Sequence, residues 1–322
     1  MGGAKSGPVE VPVSLTRQQR RAVLMLLLAA FCWGSGNVAN KTVLQDLDPF
    51  AAVLARSLVA MVVLFPFAIK EIRGIGALSE WLRSALLPSA LFAVAVTLQQ
   101  WAYQSATVTN ASFLVNTAGV MTPIVAFVVL RERLRPGIGI AAILTLIGAF
   151  LMSGAGQSLS RMNVGDVACL FSALFYAGWM VTLSRHAVSQ GRAIATTLCH
   201  CAMTVIFAVA VLAVMRPDQP GSWTGAMPEI LFLGLFSTAI AFGLTAAAQA
   251  HLSASTAAIL VAAESLFGAI GGIVVLGERP GLIPVLGAAI MLSAIVLVAR
   301  APAAVPAMLC PAFRTRRNSP GR

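Results

Sequence analysis

The chain has 322 residues, of which 58% are hydrophobic and only 10% charged, and its mean hydropathy is +0.88. Soluble domains carry about 25% charge, so a soluble globular fold is excluded, and so is a disordered chain, which needs low hydrophobicity. The formal charge of +11 would suggest nucleic acid in a soluble protein, but no basic patch with interleaved aromatics occurs and the excess reads as a membrane-topology signal.

A membrane-spanning helix needs about 20 apolar residues. Ten such stretches follow one another: 22–43, 49–69, 84–105, 109–130, 137–155, 164–184, 193–215, 228–249, 255–276 and 282–299. The expected fold is all-α: a polytopic membrane protein of ten transmembrane helices. The first apolar run is long and followed by many more, so it does not read as a cleavable signal. The tails, 1–21 and 301–322, are polar, basic and Pro-containing, and are expected to be poorly ordered. The five cysteines, Cys32, Cys169, Cys199, Cys201 and Cys310, have no paired spacing, so neither a disulfide framework nor a metal site is implied.

Polar groups facing lipid are costly, so polar stripes are expected to face protein or a water-filled cavity. The first helix carries Trp33, Asn37 and Asn40 on one face. The second carries Arg56 about two turns from its start; it can snorkel outward or attract an anion, and a gating or structural role is the simpler expectation. The third carries Thr97, Trp101 and Gln104, with Gln100 and Tyr103 beside them. The fourth has Asn116, Gly119 and Pro123, the sixth Ser172, Tyr176 and Trp179, and the eighth Thr238, Thr245 and Gln249 with Phe242. The ninth has Glu264, Ser265, Gly268 and Gly272. The fifth and tenth helices are nearly devoid of polar groups.

Each stripe also has a bland reading. Ser and Thr can bond their own helix backbone, and Asn and Gln can join neighbouring helices. The aromatics can gather at the membrane interface instead of a cavity. Gly268 and Gly272 read first as a close helix contact, then as a flexing point. His200 and His251 have no evident acidic partner and read as structural. Glu264 stands apart as the carboxylate deepest in a span; Glu132, Asp166 and Glu278 sit near span ends. Intramembrane charges are functional by default, so Glu264 is expected to bind a substrate ammonium, carry a coupling proton, or be held by a helix partner. Candidate substrate-binding residues are Trp33, Asn37, Gln100, Trp101, Gln104, Asn116, Tyr176, Trp179, Thr245, Gln249 and Glu264. Candidate gating or structural residues are Arg56, Pro123, Gly268 and Gly272.

The basic residues divide sharply. With a cytoplasmic N-terminus, seventeen Lys and Arg fall on the inside and four outside, with Arg56 left within a span. That asymmetry places both termini in the cytoplasm. An internal repeat is also visible. Leu130-Arg131-Glu132-Arg133 recurs as Leu276-Gly277-Glu278-Arg279, and Ala111, Leu114 and Val115 recur as Ala257, Leu260 and Val261. Phe31 and Gly34 match Phe175 and Gly178. Five spans per half is odd, so the second half enters the membrane inverted, as in alternating-access transporters. The expected domains are an N-terminal tail (1–21), a first repeat (22–155), an outer linker (156–163), a second repeat (164–300) and a C-terminal tail (301–322).

These residues resemble the EamA family of the drug/metabolite transporter superfamily. The likeness rests on Trp33-Gly34-Ser35, Ala55-Arg56 and Arg131-Glu132-Arg133-Leu134 in the first half. In the second it rests on Gly165-Asp166, Leu233-Gly234-Leu235-Phe236-Ser237-Thr238-Ala239, Ala263-Glu264-Ser265 and Leu276-Gly277-Glu278-Arg279. It spans about residues 25–299. Ser265 departs from the pattern, where the family often has Pro, and Pro123 lies closer to its helix end than usual. The resemblance implies a ten-helix basket in the cell membrane, with a cavity lined by helices one, three, four, six, eight and nine. Within the family the chain most resembles YddG-type amino-acid exporters. The expected function is therefore a carrier of small metabolites, first of all an exporter or facilitator of aromatic or neutral amino acids, working by alternating access. A proton-coupled exporter of drugs or other metabolites is the alternative. No Walker loop, H-E-x-x-H or pair of intramembrane aspartates occurs, so neither ATP-driven pumping nor a membrane-embedded enzyme is expected. No cofactor is implied. The expected partners are a small-molecule substrate and membrane lipid, with the chain a monomer.

Overall fold

The computed structural model describes residues 15–131, 135–153, 162–216, 221–276 and 279–300. Residues 1–14, the C-terminal tail, most of the linker, and Glu132, Arg133, Leu134, Gly277 and Glu278 of the repeat motifs lie outside the described residues. Residues 17–21, expected to be poorly ordered, instead form the start of the first helix, which the Thr16 cap begins before the apolar run.

The helices run α1 (Arg17–Thr42), α2 (Pro49–Arg73), α3 (Leu78–Ala102), α4 (Val108–Asn116), α5 (Ala118–Leu130) and α6 (Pro136–Ser153) in the first half. The second half holds α7 (Val164–Gln190), α8 (Ala193–Met215), α9 (Met227–Phe232), a π-helical segment (Leu233–Ile240) and α10 (Ala241–Ala248). It closes with α11 (Ala254–Val261), α12 (Glu264–Leu276) and α13 (Leu282–Arg300). Among the described residues there is no strand, and ten helical segments are long and apolar enough to cross a membrane. This is the all-helical, ten-span fold expected from the sequence.

Helix starts follow local chemistry. Thr16 caps α1 in a reciprocal capping box with Gln19, and the Asp48 carboxylate caps α2 just before Pro49. Such caps satisfy the first free backbone N–H groups. Several helices outrun their apolar cores: α1 begins at Arg17, α2 continues to Arg73, α3 begins at Leu78 and α7 reaches Gln190. Hydropathy marks only the hydrocarbon depth, whereas a helix continues until a cap or a break. For α7 that break is Gly191, with a left-handed φ of 63°.

Two spans are discontinuous, which the sequence reading did not anticipate. The fourth breaks at Thr117 between α4 and α5, and the ninth at Ala262–Ala263 between α11 and α12. The chain passes each break through tighter turns: Thr117 N–H donates to Leu114 O and Ala263 N–H to Leu260 O, both at 3.2 Å. The two broken spans start, resume and end at a constant offset of 146 residues: Val108 with Ala254, Ala118 with Glu264, and Leu130 with Leu276. Their caps keep the same offset, Thr107 accepting from Asn110 N–H and Ser253 from Thr256 N–H. The internal repeat is thus carried into backbone geometry.

Packing between the halves follows the repeat as well. The second span packs on the seventh and the fifth on the tenth, each with its own counterpart. The third packs on the sixth as the eighth packs on the first, and the fourth packs on the sixth as the ninth packs on the first. The outer surface is apolar, with Val62, Phe65, Val128, Ile206, Val214, Val274 and Leu282 all exposed. A belt of that extent suits lipid and not water.

Candidate functional site

The broken spans meet the other central helices at a cavity that opens to solvent. Residues of α1, α2, α3, α4, α5, α7, the π segment, α10 and α11 line it, with Asn116 and Glu264 placed at the two breaks. Glu264 lies ten positions past the start of its span at Ala254, which is about 15 Å along a helix and so about halfway across a ~30 Å hydrocarbon layer.

The break presents Asn116 and Glu264 to each other. The Asn116 amide donates to Ser265 Oγ at 2.6 Å and to Ser112 O at 2.9 Å, and reaches Glu264 Oε1 at 3.5 Å. A residue without an intact helical neighbour on one side leaves room for such cross-span bonds. Gly34 of α1 sits against the same break: a Cβ there would collide with the Glu264 carbonyl oxygen. Gly268 faces Gly34 at this crossing.

Arg56 is buried and also lines the cavity. Its Nε donates to Thr238 Oγ1 at 2.9 Å, Nη1 to Asn40 Oδ1 at 2.8 Å and Nη2 to Ser237 Oγ at 3.0 Å. All three partners are neutral. Two of them stand on the π segment, where Ala241 N–H reaches back to Phe236 O, past Ser237 O. The Ser237 carbonyl instead accepts the Trp33 indole N–H at 2.9 Å. π turns recur at functional sites; here the turn supplies one carbonyl and two hydroxyls to the cavity wall.

Aromatic rings form the rest of the wall. Trp33 lies 4.9 Å from Phe242, and Phe242 lies 5.5 Å from Trp179. Tyr176 donates its hydroxyl to Gln99 Oε1 at 2.7 Å, and both line the cavity.

Of the sequence candidates, the cavity brings together Trp33, Asn37, Asn116, Tyr176, Trp179, Glu264 and Arg56. Among the side chains described, it does not bring in the others. Gln100 is buried and donates to Asn40 O at 2.8 Å, while its neighbour Gln99 takes the cavity face. Trp101 packs against the core and Gln104 is exposed beyond the end of α3. Thr245 bonds Ala241 O of its own helix, and the Gln249 amide donates to Met180 Sδ. Pro123 lies buried in α5, and Gly272 lies within α12. The second helix, absent from the lining implied by resemblance, contributes Arg56. Sequence reasoning also missed Gln99 and the part played by His200, whose Nε2 accepts the Trp179 indole N–H at 3.0 Å.

A family model for EamA-like transporters matches residues 20–154 and 163–300, which is most of the chain in two copies. The chain belongs to the EamA-like transporter family. It is 26% identical over 279 residues to an uncharacterized transporter of Archaeoglobus fulgidus, covering 86% of this chain and 85% of that protein. It is 28% identical over 298 residues to the uncharacterized inner membrane transporter YicL of Salmonella typhimurium, covering 87% and 95%. It is 25% identical over 273 residues to the human solute carrier family 35 member G1, covering 79% and 72%. A solved crystal structure superposes with a TM-score of 0.69 at 17% identity, over 92% of this chain and 99% of that one, a likeness of fold. The chain is thus a multi-pass membrane transporter of small solutes.

Proposed function

We propose that this EamA-like transporter carries neutral or aromatic amino acids by alternating access, with both termini in the cytoplasm. The observation that carries the reading is the cavity at the two helix breaks, halfway along its spans, walled by residues of both halves. Transporter sites are commonly built from such discontinuous helices at the interface of inverted repeats. The indole, phenol and phenyl groups of Trp33, Trp179, Tyr176 and Phe242 suit an apolar or aromatic side chain. Glu264 suits an ammonium. The repeats, about residues 22–155 and 164–300, are the two bodies that rock against each other. The charge asymmetry of the loops sets the orientation.

The test is flux of a labelled amino-acid panel in proteoliposomes, with and without a pH gradient. Saturable movement of aromatic or branched amino acids is expected. Absence of flux for every amino acid would remove the reading. Flux that requires the pH gradient would favour proton coupling through Glu264, the carboxylate among the lining residues.

A further inference from the structure

The cavity wall contains two formally charged side chains, Arg56 and Glu264, of opposite sign. They approach from different spans. Arg56 is the eighth residue of α2, about 10 Å along that helix, while Glu264 opens α12 after the break. Their immediate partners do not cancel their charges. The guanidinium is held by Asn40, Ser237 and Thr238, and the carboxylate is approached by the Asn116 amide.

A guanidinium has five N–H donors. Three are engaged, one on each nitrogen, which leaves one on Nη1 and one on Nη2. A terminal N–H on each of two neighbouring nitrogens is what a carboxylate can accept from in a two-bond pairing. A purely structural arginine in a membrane would be expected to snorkel to water or to pair with an acid. Arg56 is instead 4% exposed, fixed by neutral groups and turned to a cavity. Its three bonds hold the guanidinium in place before any ligand arrives, so less ordering is needed on binding.

We infer that the cavity is a bipolar site for a zwitterion, whose carboxylate pairs with the two spare Arg56 N–H groups while its ammonium lies toward Glu264 and the Asn116 amide oxygen. This rests on the carrier reading above and assigns to Arg56 a binding role that sequence alone did not favour. With both wall groups ionised the cavity carries no net charge, so a zwitterion enters without adding any. An amine or an acid alone would leave one buried charge unmatched, which is costly in a low dielectric. The aromatic wall takes the side chain.

The experiment is ligand-induced thermal stabilisation in detergent and counterflow in proteoliposomes, with four probes of one skeleton. These are L-phenylalanine, its amide, 2-phenylethylamine and 3-phenylpropionate. The wild-type protein is expected to prefer phenylalanine by about tenfold or more over each probe that lacks one charge. Arg56→Gln should collapse the preference over the amide and the amine, and keep the preference over 3-phenylpropionate. Glu264→Gln should do the reverse. Equal handling of phenylalanine and its amide by the wild type overturns the bipolar site while leaving the carrier standing. An unchanged preference over the amide in Arg56→Gln does the same. No response to any of the four removes both readings. If Arg56→Gln does not accumulate, the wild-type preference alone decides, with Arg56→Lys as the folded comparison.

Discussion

The indole Nε1 of Trp179 donates to Nε2 of His200 at 3.0 Å, linking α7 to α8 behind the cavity wall. Since Nε2 is an acceptor, the neutral ring carries its proton on Nδ1. Nδ1 faces Ser89 Oγ at 2.8 Å, and that hydroxyl donates onward to Ala85 O at 2.7 Å. The ring also stacks on Phe92, centroids 5.2 Å apart. His200 therefore fixes an indole that borders the cavity, although it does not itself line it. His200→Leu leaves a buried indole N–H without its acceptor, a loss of about 1–3 kcal/mol. A lower unfolding midpoint and a raised KM with a smaller change in maximal rate are expected. His200→Gln, which keeps an acceptor, should recover most of the KM. A lowered maximal rate at unchanged KM would mean that Trp179 is not a wall of the binding site.

The ten spans were legible because hydropathy reports burial in lipid directly, and the repeat because Leu130 and Leu276 open matching motifs. The phase of each polar face was less legible. Gln99 and Gln100 project about 100° apart on α3, and no spacing rule decides which meets the cavity. Thr97, Trp101 and Gln104 share a face, yet Thr97 is buried, Trp101 packs in the core and Gln104 is exposed. The helix breaks left no single signal. Pro123 follows the first, but the equivalent position in the second half is Ala269, so proline does not cause both. What the halves share is the constant offset between their caps, visible only once both backbones are compared.

The Gly148–Gly287 crossing gives a test of the inter-repeat packing. A Cβ on Gly148 would lie 2.7 Å from Gly287 O, and a Cβ on Gly287 would lie 2.7 Å from Gly148 O. The fifth and tenth spans thus touch backbone to backbone, as small residues allow in membranes. Gly148→Leu should force them apart at about 1–3 kcal/mol or more. Gly139→Leu on the same helix, where a Cβ meets nothing within 4 Å, should be close to neutral. Equal unfolding midpoints for the two variants would contradict the crossing.

Asp166 joins the start of α7 to the first half. Its carboxylate accepts from Asn163 N–H at 3.0 Å, completing a capping box, and from the Asn110 amide at 3.3 Å. Asn163 in turn donates to Ser105 O at 2.9 Å. Lys41 Nζ donates to Tyr103 O and Ala106 O at the same end of the bundle. On the proposed orientation, with both termini cytoplasmic, these contacts lie on the outer side, where they would restrain opening. Asp166→Ala leaves the Asn163 N–H and the buried Asn110 amide without their acceptor, a loss of about 1–3 kcal/mol, and should loosen that contact. A cysteine placed at Asn116 in a background without native cysteines should then react faster with an impermeant maleimide added outside. Labelling at the unaltered rate would show that this contact does not restrain access.

Tyr176 and Gln99 provide the most conservative probe of the wall. The Tyr176 hydroxyl is the donor that fixes Gln99 Oε1 at 2.7 Å, and both residues border the cavity. Tyr176→Phe keeps the ring and its volume but releases the Gln99 amide, which then either solvates the cavity or turns away. One neutral hydrogen bond is worth about 1 kcal/mol net, so a KM change of about fivefold is expected with the fold intact. Its size depends on the substrate. A ligand that bonds Gln99 should bind more weakly, because the amide is no longer held in place. A ligand that touches only the ring should be unaffected. Measured across amino acids with polar and apolar side chains, a uniform response would place Gln99 against the common backbone of the substrate. A response confined to polar side chains would place it against the variable group.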